Sequence, residues 1–321
     1  MLRRLNRYFN IVREVNLDAI RREAEASVPL LVVADLEADR AALASLLNGN
    51  AEGANPWLHA AASSEVGAAL ALNAARLALL VSRGRALSDS LESARALLAA
   101  WRIPVVTLVV GSSGLLGSFA RGAEKKRVVV SSLSDDQRDT IADALFDTVG
   151  GDARLALARQ FEGLRGRAFE TLINETARAN ASYAFTTGLA ESVPLLDVPL
   201  NVGDIVVLTK NQLIMAYRIA LAAGKEGRPR DVIGELIGVM GGGLLARQVA
   251  RELIGLVPVL GVLPKVAVAY TGTWAIGHAA AAWATGRGEM TRESFERLYA
   301  AGRQRGREVA RQLASRRAPA A

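Results

Sequence analysis

The 321-residue sequence predicts an α/β domain followed by an all-α domain, and three observations carry that expectation. Between residues 29 and 132 short apolar runs alternate with helical patterns, and after Asp152 no strand pattern returns. The composition, 51% hydrophobic but only 5% aromatic, favours closely packed helices over a sheet-rich sandwich. The length permits two domains, each able to bury a core.

Residues 1–28 read as an amphipathic N-terminal helix. Its start, "MLRRLNRYFNIVREV", has cations but neither an apolar core of signal-peptide length nor a small-residue cleavage site, so export is not expected. Then come "PLLVVAD", "DRAALASLLNG", "RLALLVS", "SDSLESARALLAAW", "IPVVTLVVG", "KRVVVSS" and "DDQRDTIADALFDTVGG". Apolar runs that do not alternate suit parallel strands covered on both faces, with helices as crossovers, which predicts a reduced doubly wound sheet over residues 29–150. Asp89 and Asp135 or Asp136 lie near expected helix starts, where carboxylates cap free N–H groups. Residues 51–75, rich in alanine and polar residues, carry no clear strand. From residue 151 to 288 long helical stretches, broken at Pro194, Pro199 and several glycine- or proline-containing segments, predict a helical bundle. Residues 289–321 complete it as a basic C-terminal helix.

Charge and residue usage narrow the chemistry. Without cysteine there is no disulfide, thiolate metal site or cysteine nucleophile. His59 and His278, the only histidines, have no zinc spacing, and Ser, His and Asp form no elbow or triad pattern. No catalytic residue, metal or cofactor is therefore expected. The net charge of +7 is concentrated at the ends, in Arg3, Arg4 and Arg7 and in Arg303, Arg305, Arg307, Arg311, Arg316 and Arg317. Such ends attract anionic lipid or nucleic acid, or are simply solvated. The C-terminal arginines lack interleaved aromatics, Tyr299 being the last in the chain, so specific nucleic-acid binding is not expected.

The order of runs in residues 29–150 resembles an Era-type small GTPase domain reduced in size. In that family the first strand leads into a phosphate loop of two glycines, then lysine and serine or threonine. Those positions fall here on Ala34, Asp39, Arg40 and Ala41, and none matches. Glycine lets the backbone wrap phosphates, lysine reaches them and the hydroxyl ligates magnesium. Here Asp35 and Glu37 add negative charge instead, and Arg40 is expected to pair with Glu37. Gly111, Ser112, Ser113 and Gly114 occupy the place of the base-reading motif; only "VVVSSL", residues 128–133, looks like the serine loop of a guanine pocket. The resemblance implies a GTPase-like scaffold without catalytic parts, with an atypical nucleotide-binding switch as the alternative.

The segment "RANASYAFTTGLAESVPLLDVPLNVGDIVVLTKNQLIMAYRIALAAG" resembles the YcjF-type helical domain that bacteria append to Era-like GTPases, most specifically at Asn180-Ala181, Gly203-Asp204, "VLTKNQ" and Met215-Ala216-Tyr217. That family implies association with the bacterial inner membrane or its stress responses and no established reaction, hence a cytoplasmic protein peripheral on that membrane. The residues read independently as well. Helical spacing aims Asn211 into the stripe of Val207, Leu208, Ile214 and Met215, where a buried amide must be hydrogen-bonded. With Asn180, Asp204, Thr209, Lys210 and Gln212 it forms a polar cluster, readable as a functional site or as a structural network fixing helix register.

Residues 266–285 have no formal charge with His278 neutral and are long enough to span a bilayer, but alanine and glycine dominate them. Residues 253–263 are too short to span and are broken by Pro258. Peripheral or re-entrant contact is expected over a true span, with a buried hairpin explaining both segments equally. Trp274, His278 and Trp283 are the candidate contact residues. The expected partner is an anionic membrane surface or a protein, the latter making the chain a soluble adaptor.

Overall fold

The computed structural model describes residues 15–49, 53–72, 75–83, 87–111, 127–190, 202–239, 262–287 and 291–316. Two compact units divide the chain: Arg22–Ala168, and Phe169–Ala321 with Met1–Arg21. The sequence places the change of architecture after residue 150; the division falls at residue 168, because the first helices after the sheet stay packed with it. The architecture is α/β plus helical, with one five-stranded sheet among the described residues.

Helix α1 (Leu17–Glu25) opens the described chain, its Ala19 N–H capped by the Asn16 side chain at 2.9 Å. The rest of the expected N-terminal helix, residues 1–14, lies outside the described residues. Strand β1 (Leu30–Val33), helix α2 (Glu37–Asn48), β2 (Leu58–Ala61), a 3-10 turn (Ser63–Glu65), α3 (Val66–Ala71), β3 (Leu77–Ser82), α4 (Asp89–Ala100), β4 (Val105–Val110) and β5 (Arg127–Val130) follow. A second 3-10 turn (Asp135–Gln137), α5 (Arg138–Val149) and α6 (Gly151–Gln160) complete the run. Every strand pair is parallel and the order is β2-β1-β3-β4-β5, one of the two common doubly wound orders. Leu31 and Val33 of β1 and Ala78 and Leu80 of β3 pack with Leu70 of α3 and Leu91 and Leu98 of α4. Their neighbours Leu30, Val32, Leu77 and Leu79 point to the other face and are equally buried, which is why these strands show no alternation.

Strand β2 and α3 occupy the stretch where the sequence showed no clear strand. β2 is an edge strand that is mostly only partly buried and includes His59, so it lacks the apolar run of its neighbours. At the helix starts, Ser88 rather than Asp89 caps α4, accepting from the Leu91 N–H at 3.3 Å, while Asp135 and Asp136 lie in the 3-10 turn before α5.

The helical unit contains most of α7 (Glu162–Ala190), α8 (Val202–Ala222), α9 (Pro229–Val239), α10 (Val262–Ala284) and α11 (Arg292–Ser315). Helix α10 is its centre, in contact with α8, α9 and α11. Its approach to α11 is very close: a Cβ on Gly306 would lie 2.7 Å from the Ala267 carbonyl oxygen, and one on Gly302 3.0 Å from the Trp274 ring. The two helices run antiparallel, since Gly302 faces Trp274 and Gly306 faces Ala267. No described helix is long and apolar enough to cross a membrane. Residues 253–261 of the expected hairpin lie outside the described residues.

Candidate functional site

In doubly wound sheets ligands bind beyond the carboxyl ends of the strands where the strand order reverses, here between β1 and β3. The chain leaving β1 brings Asp35 to that point, the chain leaving β2 brings Ser63, and the chain leaving β3 brings Arg83 and then Ser88 and Ser90 at the start of α4. Four donors converge on the Asp35 carboxylate. Oδ1 accepts from the Ser63 hydroxyl at 2.5 Å and the Ser63 N–H at 3.3 Å; Oδ2 accepts from the Ser90 hydroxyl at 3.3 Å and the Ser88 hydroxyl at 3.5 Å. The Ser63 hydroxyl is the largest of the influences that hold the Asp35 carboxyl below its ordinary pKa.

The four positions aligned with a phosphate loop are engaged locally or bare. Asp39 is 3% exposed and accepts a two-pronged contact from Arg83, whose Nε lies 2.9 Å from Oδ2; this pairing pushes the Arg83 pKa upward. Arg40 does not form the pair with Glu37 that its spacing suggested. Its guanidinium turns back over the start of α2 and donates to the carbonyl oxygens of Ala34 and, at 3.2 Å, Asp35, which the bend after β1 leaves as open acceptors. Ala41 is exposed and carries no hydroxyl.

The loop after β5 repeats the arrangement at Asp136, whose carboxylate accepts from the Ser134 hydroxyl and, at 2.9 Å, from Gln137; the Ser134 bond is the main cause lowering its pKa. Gly111 ends β4, and Ser112, Ser113 and Gly114 lie outside the described residues. The edge thus has carboxylates already saturated by hydroxyls. Among the described residues no group of three or more His, Asp or Glu side chains is placed to hold a metal ion.

In the helical unit the polar cluster spans three helices. Asn180 of α7 is completely buried; its amide donates to the Thr273 hydroxyl of α10 at 2.9 Å and the Leu208 carbonyl of α8 at 3.4 Å, and its Oδ1 accepts from Asn211 at 2.8 Å. Gln212 donates to the same Thr273 hydroxyl at 3.1 Å, and that hydroxyl donates to the Ala269 carbonyl at 2.8 Å. Both amide hydrogens of Asn180 are thereby used, and one hydroxyl serves as hub. Thr209 and Lys210 are half-buried on the same stretch of α8, and the Asp204 side chain lies outside the described residues. Sequence reasoning missed Thr273, whose signal is a hydroxyl in the middle of an apolar helix, Ser63 and Arg83, whose signal is their position just after a strand, and Ser88 and Ser90, which stand at a helix start.

Trp274, His278 and Trp283 do not form an exposed interfacial band. Both tryptophans are 7% exposed. Trp274 packs against His278, ring centroids 3.9 Å apart, and under Arg305; Lys225 lies 4.8 Å over Trp283. Packing of α10 against α8 and α11 turns these rings inward, since the helix has apolar residues on all sides. His278 Nε2 is 3.6 Å from Glu170 Oε1, yet burial outweighs that carboxylate and lowers the histidine pKa.

The chain matches no family model, no curated protein and no solved structure.

Proposed function

We propose that this chain is a non-catalytic, GTPase-like scaffold of the bacterial cytoplasm that binds no nucleotide, and whose helical unit, of YcjF type, docks on an anionic membrane surface. The observation that carries the first part is the Asp35 carboxylate at the ligand-binding edge, held by three serine hydroxyls and a backbone N–H. Donors that would meet a phosphate meet a side-chain anion instead, the buried Asp39 neutralises Arg83, and Arg40 is engaged by the carbonyl oxygens of Ala34 and Asp35. A phosphate arriving there faces carboxylate repulsion with its donors already engaged.

Support for the docking part is the arginine set Arg303, Arg305, Arg307, Arg311 and Arg316, against which α11 sets only Glu293, Glu296 and Glu308. Titration with fluorescent guanine and adenine nucleotides and magnesium tests the first part. Binding tighter than about 10 μM, roughly −7 kcal/mol, would establish the atypical switch in its place. Flotation with neutral and anionic vesicles tests the second. A chain that stays unbound with both at low salt acts as a soluble adaptor.

A further inference from the structure

The antiparallel packing of α10 and α11 leaves a groove of about 670 Å³ along the seam, within the size range of small-molecule sites. Its floor is apolar, with Val268 on α10 and Phe295 and Tyr299 on α11, and Leu263, 43% exposed, stands at one end. At that same end the wall is cationic: Arg303, Arg307 and Arg311 recur every fourth residue and so share one face of α11 over about 12 Å. All three are exposed, and none forms an ion pair with a carboxylate among the described residues. Glu296 lies toward the opposite end. The groove is therefore polar in the directional sense, cationic at one end and aromatic at the other.

Resting on the membrane-docking reading above, we propose that this groove takes one anionic phospholipid from the bilayer, its phosphate on Arg303, Arg307 and Arg311 and its hydrocarbon on Val268, Tyr299 and Phe295. The alternative way for a basic helix to hold a membrane is to lie in the interface on its own apolar face. In α11 that face is already covered: Val309 is buried, and Gly302 and Gly306 abut Trp274 and Thr271 of α10. The apolar surface that remains beside the arginines is the groove. Arg303 and Arg311 lie about 6 Å along the helix on either side of Arg307, within the reach of an arginine side chain, so all three can turn toward one phosphate.

The test uses the full chain, with dihexanoyl phosphatidylglycerol as a monomeric probe and vesicles of phosphatidylcholine with or without phosphatidylglycerol. Binding of one short-chain phosphatidylglycerol per chain is expected by calorimetry, with no binding of the phosphatidylcholine analogue. Arg303→Gln/Arg307→Gln/Arg311→Gln should weaken it on the order of 100-fold, and the three corresponding lysine replacements should restore most of it. Ala300→Trp fills the groove from an exposed position without touching charge or core; it should abolish short-chain binding while leaving the thermal midpoint unchanged. If vesicles are bound but the monomeric lipid is not, or if Ala300→Trp binds the lipid as wild type does, the groove proposal is overturned and the surface-docking reading stands. If the monomeric lipid is bound as described but vesicles are not, the docking reading falls and with it the bilayer as the lipid's source, while the groove's selection of an anionic headgroup stands. Failure of both probes removes both.

Discussion

Ser63 gives two hydrogen bonds to one oxygen of Asp35, from its hydroxyl at 2.5 Å and its backbone N–H at 3.3 Å. The residues follow neighbouring parallel strands, β2 and β1, so the contact ties two strand ends across the edge where such sheets hold ligands. The carboxylate needs no ligand to satisfy the serines, and the serines need none to satisfy the carboxylate.

Replacing Asp35 by alanine removes that tie. The Asp35 carboxyl is held below its ordinary pKa, so it contributes stability above the unfolded value and loses it as pH falls through the folded one. The side chain is exposed, which screens the effect. Asp35→Ala is expected to cost about 0.5–1.5 kcal/mol at about pH 7, with the gap to wild type narrower at about pH 3, below the ordinary carboxylate value. Urea midpoints at the two pH values check this; a gap that stays as wide in acid contradicts it.

Much of this fold was legible because buried parallel strands and long helices leave unmistakable runs, as in Leu30–Val33 and Val105–Val110. β2 was not, since an edge strand with His59 need not be apolar. The site was legible only as absences at Ala34, Asp39, Arg40 and Ala41. What replaces the lost parts depends on contacts between residues 28 to 55 positions apart, such as Asp35 with Ser63 and Ser90, and no local pattern encodes them. Asn211 was readable from its own helix, but its partner Asn180 meets Thr273 across 93 residues.

In the helical unit, Asn211→Leu keeps the volume roughly similar but removes the donor to Asn180 Oδ1. A buried acceptor left without its partner costs about 1–3 kcal/mol. Thr273→Val removes the hub from Asn180 and Gln212 together, and because the three side chains share one network the double substitution should cost less than the sum of the singles. Denaturant unfolding of the four proteins in the cycle measures this; strict additivity would show that the residues do not act as a network. A variant that unfolds like wild type but no longer binds vesicles would make the cluster functional.

Two glycines should respond in opposite senses to the same change. Gly166 lies in α7, exposed, with nothing within 4 Å of an added Cβ, so Gly166→Ala should stabilise by about 0.5–1 kcal/mol through helix propensity alone. At Gly306 the added Cβ would lie 2.4 Å from the Thr271 hydroxyl and 2.7 Å from a backbone oxygen. The carbonyl cannot rotate away, so the helices must part, and Gly306→Ala should destabilise by about 1–3 kcal/mol despite the better propensity. Thermal unfolding of both variants is sufficient; equal stabilisation would mean that α10 and α11 pack less closely than this.

His278 makes stability depend on pH near neutrality. Its ring is half-buried against Trp274; burial lowers its pKa first, Glu170 of α7 opposes that, and Arg305 of α11 adds to it. Between the lowered folded value and the ordinary 6.5 the unfolded chain binds the proton and the folded chain does not. By linkage, stability is then complete above about pH 7.5 and falls as the pH drops through 6.5. His278→Gln should remove this slope between about pH 7.5 and 5.5, a window above most carboxylate titrations. Glu170→Gln, which removes the one group raising the histidine pKa, should extend the loss to lower pH. The check is the urea midpoint of the three proteins at several pH values. A His278→Gln protein that keeps the wild-type slope would show that the proton taken up on unfolding does not go to His278.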